Sequence, residues 1–415
     1  MLADVPMVFI LIGITAYTVL SGADFGAGMW TLLPFGGRAG AAATRDHTRH
    51  SIGPVWEANH VWLIFVLTVA WTCYPVAFGS IVSTLAIPLL IAAIGIIFRG
   101  TTYALRGVLN RGEGRGVALV EDLFALSSVL TPFALATVVG GIATERVPVG
   151  NARGNIITSW LNPVSIMAGV LAVFFSGYLA AVYLAADARR LGEPVLARDF
   201  RNRALGAGVV AGGLAVVGLL VVRFNAGALW HGLTSGAGLA LVIVSGLAGL
   251  ATLALVFWSR FGLARASAAL AVAAVIAGWA AAQEPYLLPG LTVRAAAAGR
   301  ATLIATIIAV AAGAAVLVPS LGLLYTLVLR GRLDTAAASA PSVSAVPSVS
   351  AAPLVPAVAD GGGRRAWAFA AVSLVAGVGL LVFAGPAWAL GIGALLLVAC
   401  AVTVFALTAI PDQEA

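Results

Sequence analysis

Ile52-Gly53-Pro54-Val55-Trp56-Glu57-Ala58-Asn59-His60-Val61-Trp62-Leu63-Ile64 opens an apolar run that continues to about residue 75. Pro54 and Glu57 suit the first turn of a helix, where a missing N–H breaks no bond and a carboxylate meets the positive end of the helix dipole. The run is roughly 20 residues long, the length a helix needs to cross the hydrocarbon of a bilayer. The segment reads as the mouth of a membrane span, with Glu57, Asn59 and His60 gathered between Trp56 and Trp62. Glu57 and His60 are i,i+3 neighbours on such a helix. On spacing alone two readings stay open. Glu57 is either a dipole partner at a helix start, or part of a cluster that relays protons, the usual work of carboxylates and imidazoles inside membranes.

Similar runs recur at about 5–22, 77–98, 118–141, 161–186, 204–222, 236–257, 266–284, 301–328, 367–385 and 387–409, which predicts about eleven transmembrane helices and an all-α polytopic membrane protein. Composition agrees. The chain is 61% apolar and only 9% charged, with a mean hydropathy of +1.05, whereas soluble domains carry about 25% charged residues. Too few charges exist to give 415 residues a water-soluble surface. Pro75 and Pro88 are expected to end or kink the second and third spans.

All 23 basic residues are Arg, and the formal net charge is +7. Eighteen of the 23 fall in alternate loops and five in the others. Short cytoplasmic loops retain basic residues, so the N-terminus is expected outside and the C-terminus in the cytoplasm. The arginines sit in short loops between apolar runs, which points to an anionic membrane face as their partner and away from nucleic acid. Asp4 precedes the first run with no basic segment ahead of it, so that run is expected to stay as a helix. Cys73 and Cys400 lie far apart inside apolar runs and read as small hydrophobes.

Ionisable groups inside a membrane cost several kcal/mol on most scales, roughly 2.5–3.5 by insertion, so the few present are the candidate site. Asp24 lies in Ser21-Gly22-Ala23-Asp24-Phe25-Gly26-Ala27-Gly28-Met29-Trp30. It reads either as a helix-end carboxylate near the interface, or as an acceptor between helices brought close by glycines. Arg99 closes an apolar run and suits a carboxylate partner, whereas Arg106 reads as a cytoplasmic anchor. Glu121, Asp122 and Glu284 read as helix-end acids. Haem needs axial ligands, commonly His or Met. Of four His, only His60 is near a span, with His47 and His50 in a basic loop and His231 in an outer loop. The chain is therefore expected to bind no haem or metal itself.

Residues 331–365 are rich in Ala, Ser, Pro and Val, then Gly361–Gly363 and Arg364-Arg365. They read as a disordered cytoplasmic linker. The expected organisation is a transmembrane domain over 1–330, the linker over 331–365, and a two-helix membrane extension over 366–415.

Several segments resemble the second subunit of cytochrome bd-type quinol oxidases. Gly22, Asp24, Gly26 and Gly28 match the family's Gly-x-Asp-x-Gly-x-Gly at the end of its first helix. Pro54, Trp56, Glu57, Asn59, Trp62 and Leu63 match its Pro-x-Trp-(Asp/Glu)-Gly-Asn-x-x-Trp-Leu, with Ala58 in place of Gly. Phe98-Arg99 and Arg106 match the end of its third helix, Leu161-Asn162-Pro163 its fifth, and Leu317-Val318-Pro319 its ninth. The match is dense over about 1–106 and sparse to about 330.

The resemblance implies two four-helix bundles plus a peripheral helix, in a bacterial cytoplasmic membrane. The complex it implies oxidises quinol and reduces O2 to water, with haems b and d in a haem-bearing subunit I. This chain then pairs with that subunit and contributes to proton uptake, with Glu57, Asp24, Asn59 and His60 on the proton pathway. Arg99, Arg106, Trp56 and Trp62 serve as charge partners or structural residues. The resemblance leaves room for a small accessory transmembrane subunit and a structural quinone or lipid. It does not account for the C-terminal hairpin. A stand-alone secondary transporter and a structural or assembly subunit are the alternative readings.

Overall fold

Hydrocarbon offers no water to satisfy backbone N–H and C=O groups, so a spanning segment bonds internally as a helix. The computed structural model describes residues 2–32, 40, 43–48, 56–109 and 115–329, with isolated helical positions at 368, 369, 372, 373, 376, 392, 396 and 399. Helices α1 (Val5–Leu32), α2 (Trp56–Cys73), α3 (Pro75–Thr84), α4 (Ala86–Leu109) and α5 (Arg115–Ala143) come first. They are followed by α6 (Pro163–Arg190), α7 (Pro194–Asn225), the short α8 (Gly227–Leu233), α9 (Gly236–Phe257) and α10 (Phe261–Gln283). A two-stranded antiparallel hairpin, β1 (Tyr286–Leu288) with β2 (Leu291–Thr292), leads to α11 (Val293–Ala296) and α12 (Arg300–Leu329).

Among the described residues, seven helices are long and apolar enough to cross a membrane, and the bent pair α3–α4 makes an eighth if it is one span. The 18-residue α2 occupies the second expected run. The first nine expected runs thus each fall on helix. The expected linker 331–365 lies outside the described residues, as do the last two runs apart from the isolated positions above. The chain divides into two compact units, 1–335 and 336–415.

The third run is two helices, not one. α3 and α4 meet at 83° across Leu85. Pro88 has no N–H to offer the carbonyl four residues back, which is that of Thr84, the last residue of α3. Pro75 starts α3 at its N-terminal turn, where proline is favoured. The loop after α5 rests on the bend: Gly150 N donates to Ser80 Oγ at 2.9 Å and Ala152 N to Ser83 Oγ at 2.8 Å.

The helices pack as two groups. α1, α2, α3–α4 and α5 form the first, and α6, α7, α9 and α10 the second, while α12 lies on the outside against α2 and α1. The groups join where α1 crosses α6. A Cβ on Gly26 would run into the backbone of Ser176, and one on Gly177 into Met29. Glycine at those positions permits a backbone-to-backbone approach. Trp30 Nε1 then donates to Gly177 O at 2.8 Å, which ties the end of α1 to α6.

Candidate functional site: a buried ion pair and the mouth of the second helix

Asp24 and Arg99 are 75 residues apart in sequence and form the most enclosed ion pair among the described residues, 1% and 0% exposed. Arg99 Nη2 donates to Asp24 Oδ1 at 2.6 Å and Nε to Oδ2 at 3.2 Å. This is the two-pronged geometry that a planar guanidinium offers a carboxylate. Two further donors are used as well. Nη2 reaches Asp24 O at 2.8 Å, and Nη1 reaches Ser128 Oγ at 2.6 Å. Ser128 Oγ in turn donates to Phe124 O at 2.7 Å. Phe25 and Phe124 flank the cation, with ring centroids 4.9 and 4.4 Å from Cζ.

One arginine thus fastens α1, α4 and α5 together. The local sequence makes room for it. Gly28 faces Ser128 and Phe124 so closely that a Cβ there would strike the serine. A buried charge is tolerated only when paired and hydrogen-bonded, and both conditions are met. Of the two readings of Asp24, the interhelical acceptor is the one realised.

α2 lies beside this pair. His60 packs edge-on against Tyr17 and Phe25, with ring centroids 5.8 and 5.9 Å away. Asn59 is buried, and its amide nitrogen donates to Leu20 O at 3.4 Å. Glu57, one turn before His60, is exposed on this chain. Trp62 meets Phe65 edge-to-face at 6.2 Å. Asn59 and His60 therefore face α1, while Glu57 sits at the edge of that face. The side chains of Trp56, Arg106 and Glu121 lie outside the described residues; the backbone of Arg106 belongs to α4. Glu284 is exposed at the end of α10, as a helix-end acid is, whereas Asp122 is exposed but lies seven residues inside α5, which starts earlier than the expected run.

Three features were not legible in the sequence. His47 is buried, and its Nε2 donates to Leu184 O at 3.1 Å, although its neighbours are those of a basic loop. Arg203 lies nine residues inside α7, buried, with its guanidinium 5.3 Å from the Trp30 ring and 4.9 Å from Phe200. Its signal was Glu193-Pro194, a helix start early enough to carry Arg203 into the bundle. Asp187 pairs with Arg265 at 2.6 Å between α6 and α10. Among the described residues, no three His, Cys, Asp or Glu side chains gather as a metal site.

This architecture defines a polytopic α-helical membrane protein of two packed helix groups, braced by an acid–arginine pair inside the first. The chain belongs to the cytochrome bd terminal oxidase subunit II family, whose family model matches residues 2–328. It is similar to the cytochrome bd ubiquinol oxidase subunit 2 of Bacillus subtilis (strain 168), 25% identical over 172 residues. That match takes in 41% of this chain and 48% of the relative, so the chain spans about half the length of the curated relative it matches. In fold it is similar to a chain in the structure of bd oxidase from Geobacillus thermodenitrificans, with a TM-score of 0.61 and 23% identity. That likeness covers 79% of this chain and 98% of the other.

Proposed function

We propose that this chain is the non-haem subunit of a cytochrome bd-type terminal oxidase, a complex that oxidises quinol and reduces O2 to water. In this role it pairs with and stabilises a haem-bearing subunit I and brings protons from the cytoplasm. The N-terminus lies outside and the C-terminus inside a bacterial cytoplasmic membrane, as the arginine asymmetry implies.

The observation that carries the reading is the arrangement at the start of α2. Glu57 is exposed while Asn59 and His60 turn inward. A carboxylate turned toward lipid is expensive, so a partner is expected to cover it. Val61, Ile64, Thr68 and Trp71 continue the same exposed stripe, Trp71 being 67% exposed. Their alternating spacing of three and four residues is that of a helix–helix seam. Subunit I is the neighbour that suits this stripe, with Glu57 at its cytoplasmic end.

Protons then enter at Glu57 and pass to His60. Asp24 shapes the route rather than carrying the proton, because both of its carboxylate oxygens are already held by Arg99. The described imidazoles sit apart: His47 bonded to Leu184 O, His60 between two rings of α1, and His231 exposed near the end of α8. That suits a chain that leaves haem ligation to its partner.

Glu57→Gln in the whole complex tests the reading. Turnover with O2 is expected to fall about tenfold or more, within the range of acid–base groups, while the quinol KM and haem spectrum stay as they were. Wild-type turnover would remove the role. The bent α3–α4 pair is a feature that favours a stand-alone transporter. A purified chain that moves solute without haem or a second hydrophobic subunit would support that alternative.

A further inference from the structure

Tyr17, Ser21 and Asp24 lie on successive turns along one face of α1. Asp24 is held by Arg99. The other two are also buried, Tyr17 at 8% exposure and Ser21 at 0%, yet neither hydroxyl has a hydrogen-bond partner among the described residues. A buried hydroxyl left unpaired is costly, because it gives up its bonds to water. The usual escape in an apolar helix is a bond to the carbonyl one turn back. Thr18 takes it, to Ile14 O at 2.7 Å, and so does Thr68, to Ile64 O at 2.8 Å. Ser21, on the same helix as Thr18, does not.

The group opposite is His60. Its ring touches Tyr17 and Phe25, which stand four residues on either side of Ser21. The imidazole is therefore held level with Ser21. Asn59, bonded to Leu20 O, fixes α2 against this turn of α1. The charged groups that act on Tyr17 are Asp24 and Arg99, which neutralise each other. Two unsatisfied hydroxyls beside an imidazole provide the two to four polar partners that a buried water needs.

We propose that the Tyr17 and Ser21 hydroxyls hold ordered water beside His60 and form the next step of the proton path inward from it. This rests on the proton-uptake reading of Glu57 and His60. An imidazolium at His60 gives its proton to the water and returns to neutral imidazole. Each hydroxyl along the path accepts one proton on its oxygen and releases its own, so Tyr17 and Ser21 end as they began. Tyr17 lies about 6 Å beyond Ser21 along the helix axis, on the side away from Asp24, so the pair carries the path one turn deeper. Both are positioning residues for the reaction, since they act through the proton path.

Tyr17→Phe and Ser21→Ala, singly and together, are made in the complete oxidase complex. Turnover is counted per assembled haem at saturating quinol, in H2O and in D2O. The double variant is expected to run about tenfold slower, equivalent to about 1.4 kcal/mol of barrier. Its solvent isotope effect should rise, while its quinol KM and haem spectrum should not change. Ser21→Thr, which keeps a hydroxyl, is expected to retain turnover. A double variant with wild-type turnover and isotope effect would overturn the proposal, as would lost thermal stability with an unchanged isotope effect. Glu57→Gln run beside it separates the two ideas. If Glu57→Gln is slow and the double variant is not, the hydroxyl step alone fails. If Glu57→Gln is as fast as wild type, the reading beneath it fails.

Discussion

The two helix groups each contain an acid–arginine pair at 2.6 Å, but in different surroundings. Asp24–Arg99 is sealed, with both side chains at 1% exposure or less, and the guanidinium also holds a serine and a backbone carbonyl. Asp187–Arg265 is 15% and 21% exposed, with Arg190 at 3.8 Å from the same carboxylate and Arg265 also bonded to Tyr183 O. Identical separation thus gives unlike consequences. Where solvent and further cations reach a pair, losing one member is compensated. Where solvent does not reach it, the remaining charge is left in the interior.

The largest expected effect comes from Arg99→Leu, which leaves Asp24 buried without its cation. Breaking a buried pair costs about 3–5 kcal/mol, so little assembled complex should be recovered, read as haem-containing yield. Asp24→Leu combined with Arg99→Leu should recover part of that loss, because no lone charge remains. A double variant no better than either single would show that the pair is held for its hydrogen bonds and not its charge balance.

Gly26→Ala should come next. The added methyl meets the Ser176 backbone, which cannot swing aside as a side chain can, so a loss of about 1–3 kcal/mol is expected from overpacking. It would appear as a lower thermal midpoint of the complex. An unchanged midpoint would mean that the two groups are not as closely joined at α1 and α6 as the fold indicates.

Arg265→Ala should cost about 1 kcal/mol or less, in the range of partly solvated pairs, and the loss should shrink as salt rises. Smaller still is Arg294→Ala, whose partner Asp4 is 3.4 Å away with both side chains well exposed. No change in midpoint is expected there. An Arg265 effect equal to that of Arg99 would erase the distinction between the groups.

Much of the fold was legible because hydropathy is a local property. Nine runs of sequence became helices at the places expected, and the glycines at 22, 26 and 28 announced a close approach. Pro88 signalled a disturbance in the third run, but neither the 83° bend nor the bonds from the loop after α5 to Ser80 and Ser83 could be read from that segment. At the site, Arg99 was expected to pair with a carboxylate, but its own segment did not say which one. Ser128, in an apolar run with another serine before it, gave no sign of being its third anchor.

By itself the sequence determined that this chain lives in a bilayer as helices, and which block of residues ties it to its family. Both follow from composition and spacing along one segment. Tertiary structure decided that Arg99 reaches Asp24, that His47 and Arg203 go inside, and that Asn59 and His60 turn toward α1 while Glu57 remains at the surface. Those outcomes depend on how each helix is rotated against its neighbours. That rotation is set by contacts between segments tens of residues apart, and no single stretch of the chain encodes it.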